Sequence, residues 1–151
     1  MPKPTLVADA DVSTPVTARV VILTLDSHLA GAVDRARATL ARDVPGLHLS
    51  LHGASEWGEN TQALERCIAD IERGDIIIVT MMFLEDHIRA VLPALERRRD
   101  DCDARVCCMS AAEIIRLTRI GRFTMDGEQS GPMALLKRLR LALELGRPVA
   151  P

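Results

Sequence analysis

The chain has 151 residues, of which 48% are hydrophobic and 26% charged, and its formal net charge is −2. This length and composition suit a single globular domain. There is no basic excess for nucleic-acid binding and no apolar run near the roughly 20 residues of a membrane span, so the sequence predicts neither class.

The two ends of the chain and its cysteines indicate where the domain lies and works. Residues 1–17 are rich in proline and small residues, so we expect a flexible arm before a single domain over 18–146. The tail at 147–151 is expected to continue into further domains of a longer protein. No apolar signal sequence follows the N-terminus, and the four cysteines fit neither a zinc ribbon nor a redox pair. Buried free thiols in a reducing compartment, the cytoplasm, are therefore favoured.

Aliphatic segments alternate with amphipathic ones along the chain. The predicted strands are 19–25, 47–52, 75–80 and 104–109. The predicted helices are about 28–42, about 59–73, a helix from Glu85 through Leu95 that Pro93 kinks or splits, one from a Ser110–Glu113 capping box to Gly121, and about 133–145. The first and third strands are predicted to be buried on both faces, and the alternating second strand to lie near an edge. This order predicts an α/β fold, an open and mainly parallel four-stranded sheet with helices on both faces and a flavodoxin- or Rossmann-like layering.

Parallel strands would gather several polar loops at one edge of the sheet, because ligands of open sheets bind beyond the carboxyl ends of the strands. Carboxylates and imidazoles there could hold a metal or move protons. The favoured explanation is that Ser27 or Asp26 caps the first helix and that Glu85 and Asp86 complement a helix N-terminus. The candidates for contact with a ligand or a partner are Asp26, His28, Trp57, Met81, Met82, Phe83, Glu85 and His87.

Four of these candidates are apolar. Met81, Met82 and Phe83 would form a soft platform for a flat ligand if they were exposed, although core packing is the plainer explanation. Trp57 lies in a glycine-flanked loop, where an exposed indole would serve as an anchor. Dinucleotide, P-loop and phospho-receiver signatures are missing, so no catalytic residue and no metal ligand is predicted.

One short motif follows the first strand. DSHLAG (26–31) has the spacing D-x-H-x-x-G. It resembles the cobalamin-binding motif, which implies His28 as the cobalt ligand and Asp26 as its hydrogen-bonding partner. The Ser-x-Leu and Gly-Gly marks of that family are replaced by Thr80-Met-Met82 and Ser110-Ala111. The alternative function is thus a stand-alone corrinoid or tetrapyrrole carrier.

Five segments dispersed over most of the chain carry a second resemblance. They are ASEWG (54–58), DIIIVTMMFLEDH (75–87), MSAAE (109–113), RLTRIGRF (116–123) and SGPMALLKRL (130–139). In this order they resemble the N-terminal domain of the large, porphyrin-binding H subunit of magnesium chelatase. The chain is therefore interpreted as part of that multisubunit ligase.

The resemblance implies a reaction and a set of partners. The family inserts Mg²⁺ into protoporphyrin IX in an ATP-dependent step of (bacterio)chlorophyll biosynthesis for photosynthesis. The resemblance further implies that ATP is hydrolysed on a separate AAA+ subunit, which works with a second, D-type subunit. Family members are far longer than this chain, so no catalytic residue is carried over. We expect a domain that is inactive alone, holds no cofactor of its own, and packs against the remaining domains of the H subunit as a docking or substrate-access surface.

Overall fold

The computed structural model of the protein describes residues 17–125. Almost all of the predicted arm, the predicted helix at about 133–145 and the tail lie outside the described residues. The strands are β1 (Ala18–Thr24), β2 (Leu47–Gly53), β3 (Ile76–Thr80), β4 (Ala104–Cys108), β5 (Arg119–Ile120) and β6 (Phe123–Thr124). The helices are α1 (Ala30–Asp43), α2 (Thr61–Arg73), α3 (Glu85–Arg97) and α4 (Ala112–Ile115).

The sheet has the order β2-β1-β3-β4-β5-β6, and its first four strands are parallel. The predicted α/β class is confirmed, and the alternating strand β2 lies at the edge, as predicted. The chain moves outward from β1 to β2 and then returns past β1 to β3. The carboxyl ends of β1 and β3 therefore form the point where the winding direction reverses, which is where open α/β sheets bind ligands.

The core lies between the sheet and the pair of helices α2 and α3. Alternate residues of the parallel strands point into it because successive side chains of a strand face opposite ways. Its fully buried members include Val21, Leu23, Ile77, Val79, Cys67, Ile71, Val91 and Leu95. Each large aliphatic side chain buried in this way contributes roughly 1.5–3 kcal/mol.

The other face of the sheet is less completely covered. Helix α1 lies against the edge strand β2, and the crossover rule places it on the face opposite α2. Val20 and Ile22 of β1 and Ile76 and Ile78 of β3 are half-buried on this side. The prediction that both strands are buried on both faces is therefore confirmed for the face that carries α2 and α3. On the opposite face the strands are only half-buried.

Two predictions about the region after β4 are wrong. β5 and β6 form a short antiparallel hairpin on β4, so the sheet has six strands rather than four. Gly121 stands in the turn of that hairpin at φ 58°, a conformation that favours glycine. Helix α4 has four residues and no side-chain cap, so the predicted capping box and the helix to Gly121 do not form. The Ser110 hydroxyl instead accepts a hydrogen bond from the Met82 N–H at 3.1 Å.

Helix α3 continues through Pro93, so the predicted division of this helix is wrong. Proline removes one intrahelical hydrogen bond and costs roughly 3 kcal/mol in a helix interior. Ile88 and Val91 are buried before it, and Ala94 and Leu95 after it. Burial on both sides offsets this cost, and the ring of Pro93 faces solvent.

Candidate site at the carboxyl edge of the sheet

The loop after β1 is organised by Asp26. Its Oδ1 accepts a hydrogen bond of 2.9 Å from the His28 N–H, at the start of a short 3-10 turn over Ser27–Leu29. Helix capping therefore accounts for Asp26. The His28 imidazole projects into solvent, with 91% of its side chain exposed and its Nε2 3.7 Å from Asp26 Oδ2. The histidine of the D-x-H-x-x-G motif is thus accessible at this edge.

Trp57 lies inside the protein, so the prediction of an exposed anchor is wrong. The loop after β2 is held to the end of β1 by a 2.8 Å hydrogen bond from the Ser55 N–H to the Leu25 carbonyl. This connection folds the indole inward, where it is 6% exposed and meets the His87 ring edge-on at a centroid distance of 5.8 Å. Nδ1 of His87 is buried and has no hydrogen-bond partner in the described part of the chain.

The acidic residues after β3 belong to the first turn of α3. Glu85 forms an ion pair with Arg89 one helical turn later, and both side chains are largely exposed. Asp86 is also exposed in this turn. Acidic side chains at a helix N-terminus complement the helix dipole, which is the explanation that the sequence favoured.

Four exposed apolar side chains lie on the two adjoining segments that follow β3 and β4, and we call them the apolar rim: Met81, Phe83, Leu84 and Met109. Phe83 is 56% exposed and Met109 68% exposed. Met82, by contrast, is fully buried. Of the three residues of the predicted platform, Met81 and Phe83 therefore lie at the surface, whereas Met82 lies in the core.

The apolar rim is exposed because the backbone turns sharply where the two strands end. Met81 and Met109 have φ values of 57° and 46°, a left-handed conformation that costs an L-residue roughly 1–2 kcal/mol. Three hydrogen bonds tie the two segments together. They run from Met81 N–H to the Met109 carbonyl (2.9 Å), from Met82 N–H to Ser110 Oγ (3.1 Å) and from Ala111 N–H to the Met82 carbonyl (2.9 Å). The rim is thus held outward by a fixed backbone.

Leu84 and Met109 were not identified from the sequence. A left-handed residue at the end of a strand reverses the alternation on which burial predictions rest, and an isolated methionine gives no sign of that conformation. The only available signal was the position of Met109 directly after an aliphatic strand.

The four cysteines are free thiols, and three of them are buried. Burial raises the pKa of the Cys67 thiol from 9.0 to about 12, with a smaller contribution from the nearby Asp70 carboxylate. Burial likewise raises the pKa of Cys107 to about 11. Thiols with raised pKa values are poor nucleophiles and poor metal ligands. Within residues 17–125, no three His, Cys, Asp or Glu side chains come together in a way that could hold a metal ion.

The fold and this edge define a doubly wound α/β domain with an exposed apolar rim and an exposed His28 at the carboxyl edge of its sheet. A family model described as a domain of unknown function, DUF3479, matches residues 19–147. The chain therefore belongs to the DUF3479 family.

Two curated relatives show where such a domain occurs. The chain is 46% identical over 121 residues to the magnesium-chelatase H subunit of Cereibacter sphaeroides, covering 80% of this chain and 10% of that protein. It is 42% identical over 127 residues to the magnesium-chelatase H subunit of Rhodobacter capsulatus, covering 84% of this chain and 11% of the relative. The chain thus spans about a tenth of the length of these relatives. The similarity confirms the resemblance to the N-terminal domain of that large chelatase polypeptide.

None of the helices within residues 17–125 combines the length and the apolar character that crossing a membrane requires.

Proposed function

We propose that this chain serves as the N-terminal domain of a magnesium-chelatase H subunit in the bacterial cytoplasm. The enzyme would insert Mg²⁺ into protoporphyrin IX with ATP hydrolysis on a separate AAA+ subunit, for bacteriochlorophyll synthesis. The single observation that carries this proposal is the similarity to two curated H subunits over at least 80% of the chain. Mg²⁺ and protoporphyrin IX are substrates of the whole complex, which also includes a D-type subunit.

The domain itself acts by docking or by forming a substrate-access surface, and it is not catalytic. The arrangement at the carboxyl edge supports this role. Asp26 and Glu85 are engaged in capping and in an ion pair, whereas the apolar rim and the His28 imidazole are exposed to solvent. Exposed apolar side chains on a fixed backbone are suited to recognition.

A graft tests the proposed function. Residues 19–147 would replace the matching segment of the C. sphaeroides H subunit, and formation of magnesium porphyrin would be followed by fluorescence with the AAA+ and D-type subunits present. We expect the graft to insert Mg²⁺ at a rate within about tenfold of the parent, which corresponds to 1.4 kcal/mol in the barrier. A well-folded graft without activity would contradict the proposal.

A spectral titration separates the proposal from a corrinoid carrier. The carrier alternative requires a cobalamin absorbance change that His28→Ala abolishes, because the exposed imidazole would bind cobalt. The chelatase proposal requires that wild type and His28→Ala both leave the cobalamin spectrum unchanged. Titration with a water-soluble porphyrin, read by the emission of Trp57 and by the visible bands, then measures direct tetrapyrrole contact.

A further inference from the structure

We propose that the apolar rim is the docking surface for another region of the H-type polypeptide, one that presents apolar side chains bordered by lysine or arginine. This inference rests on the proposed function and specifies the partner of the same edge. It assigns Met81, Phe83, Leu84 and Met109 to a protein contact and not to the tetrapyrrole.

The backbone that exposes these side chains is energetically unfavourable. Two of the four rim residues hold a left-handed backbone that L-residues rarely adopt, and three hydrogen bonds keep that backbone in place. Residues with backbone strain of this kind cluster at functional sites, where the surrounding structure holds them in place. Methionine adds an adaptable, polarizable surface that suits protein recognition.

Negative charge lies next to the apolar rim on both segments. Asp86 stands in the first turn of α3 and Glu113 in the first turn of α4, so an exposed carboxylate borders the rim at each segment. Glu85 lies beside Asp86 but has its own cation in Arg89. A tetrapyrrole with propionate groups would bring like charges to this border. A protein surface with a basic border would meet opposite charges, which steers and orients association.

The area of the apolar rim limits which partner it can bind. The rim exposes on the order of a few hundred Å² of apolar surface, well below the roughly 1,200 Å² of a stable interface between separate chains. A second copy of this chain is therefore a poor occupant. The relatives are about ten times as long as this chain, so other regions of one polypeptide are available. A tethered partner has an effective concentration in the millimolar range, at which a small patch is sufficient.

A two-piece binding experiment tests the proposal. The C. sphaeroides H subunit lacking the segment that matches this chain would be titrated with the 151-residue chain by calorimetry, up to roughly millimolar concentration, which matches the effective concentration of a tethered partner. The variant Phe83→Ser/Met109→Asn removes two rim side chains, and asparagine tolerates the left-handed conformation. The control is Val44→Ser, which removes an exposed apolar side chain from the end of α1, next to the start of β2.

We expect the rim double variant to bind at least about tenfold more weakly, as interface anchors do, and the control within about twofold of wild type. Asp86→Lys should also weaken binding and reduce its salt dependence. The inference is overturned if the rim double variant binds as tightly as wild type, or if the rim variants lose porphyrin binding instead. If the graft inserts Mg²⁺ but the two pieces do not associate even at roughly millimolar concentration, the rim proposal fails and the proposed function stands.

Discussion

At the scale of one residue, Met109 lowers the stability of the isolated chain in the same conformation that exposes it for the proposed docking contact. Its left-handed backbone and its exposure both disfavour the isolated chain. Asparagine adopts this conformation more easily, so Met109→Asn should raise the free energy of unfolding by about 0.5–1 kcal/mol. Chemical denaturation of the isolated chain measures this change.

Leu84 provides the matched control for that substitution. It is 54% exposed but has an ordinary φ of −80°. Leu84 is also the N-cap residue of α3, where asparagine would add a favourable helix cap, so the control is Leu84→Gln, which should leave stability unchanged or slightly lower. Equal stabilisation by both substitutions would show that loss of exposed apolar surface, and not backbone strain, is responsible.

The cysteines make a second prediction at this scale, because burial and pKa separate them. At pH 8, Cys108 should react rapidly with an aromatic disulfide reagent, while Cys67, Cys102 and Cys107 react only as the protein opens. The raised pKa values of Cys67 and Cys107 mean that the folded state holds these protons more tightly than the unfolded state. Their contribution to stability is thus complete below pH 9.0 and is lost as the pH rises towards 11–12.

Urea unfolding at pH 8 and pH 10.5, monitored by Trp57, would measure that loss. Cys67→Ala should reduce the pH dependence, and Cys108→Ala should leave it unchanged. Two or more rapidly reacting thiols at pH 8 would contradict the burial described for this core.

At the scale of elements, Arg105 connects three segments from within the core. This β4 residue is 1% exposed, and its guanidinium donates to the Leu95 carbonyl in α3 and to the Leu117 carbonyl after α4. Burial lowers its pKa, and the negative end of the α3 dipole faces the charge. The arginine therefore fixes α3 and the segment before β5 to the sheet.

Arg105→Met should lower the free energy of unfolding by about 2–4 kcal/mol, because two buried carbonyls lose their donors. Arg19→Met is the control, since Arg19 is an exposed strand arginine and such changes usually stay within about 0.5 kcal/mol. Thermal and urea unfolding would measure both variants. Equal effects of the two substitutions would mean that the Arg105 contacts contribute nothing to stability.

The elements also show what a sequence can reveal about this fold. The four long strands and α1–α3 were predictable because their hydrophobic periodicity is sustained over many residues. β5 and β6 have two residues each, which is too short for any period. The Ser110–Glu113 pattern indicated a capped helix, but the serine hydroxyl instead accepts a hydrogen bond from the Met82 N–H, in the segment after β3. A tertiary hydrogen bond of this kind leaves no local signal.

The candidate site was also predictable from the sequence only in part. The gathering of Asp26, Glu85 and His87 at one edge follows from parallel strands and was predictable. The inward position of Trp57 depends on a backbone hydrogen bond between the loops after β1 and β2, and the outward position of Met109 depends on a left-handed φ. Neither can be read from residue types.

At the scale of the whole molecule, the described residues form a single sheet with its covering helices, and the chain spans about a tenth of the length of its two relatives. Its core is complete on the α2 and α3 side, and its exposed apolar residues concentrate at the carboxyl edge and around the β5–β6 hairpin. Under the proposed function, the carboxyl edge faces the remainder of the H-type polypeptide, and Mg²⁺ insertion takes place elsewhere in that protein.

Hydrogen exchange of residues 80–88 and 108–113 tests this central claim most directly. The exchange would be compared between the isolated chain and the same chain grafted into the C. sphaeroides H subunit, with and without porphyrin. If the carboxyl edge docks onto the rest of the polypeptide, the graft slows exchange in both segments before any porphyrin is added, and porphyrin changes it little. Exchange as fast as in the isolated chain, or protection that develops only with porphyrin, would contradict the claim.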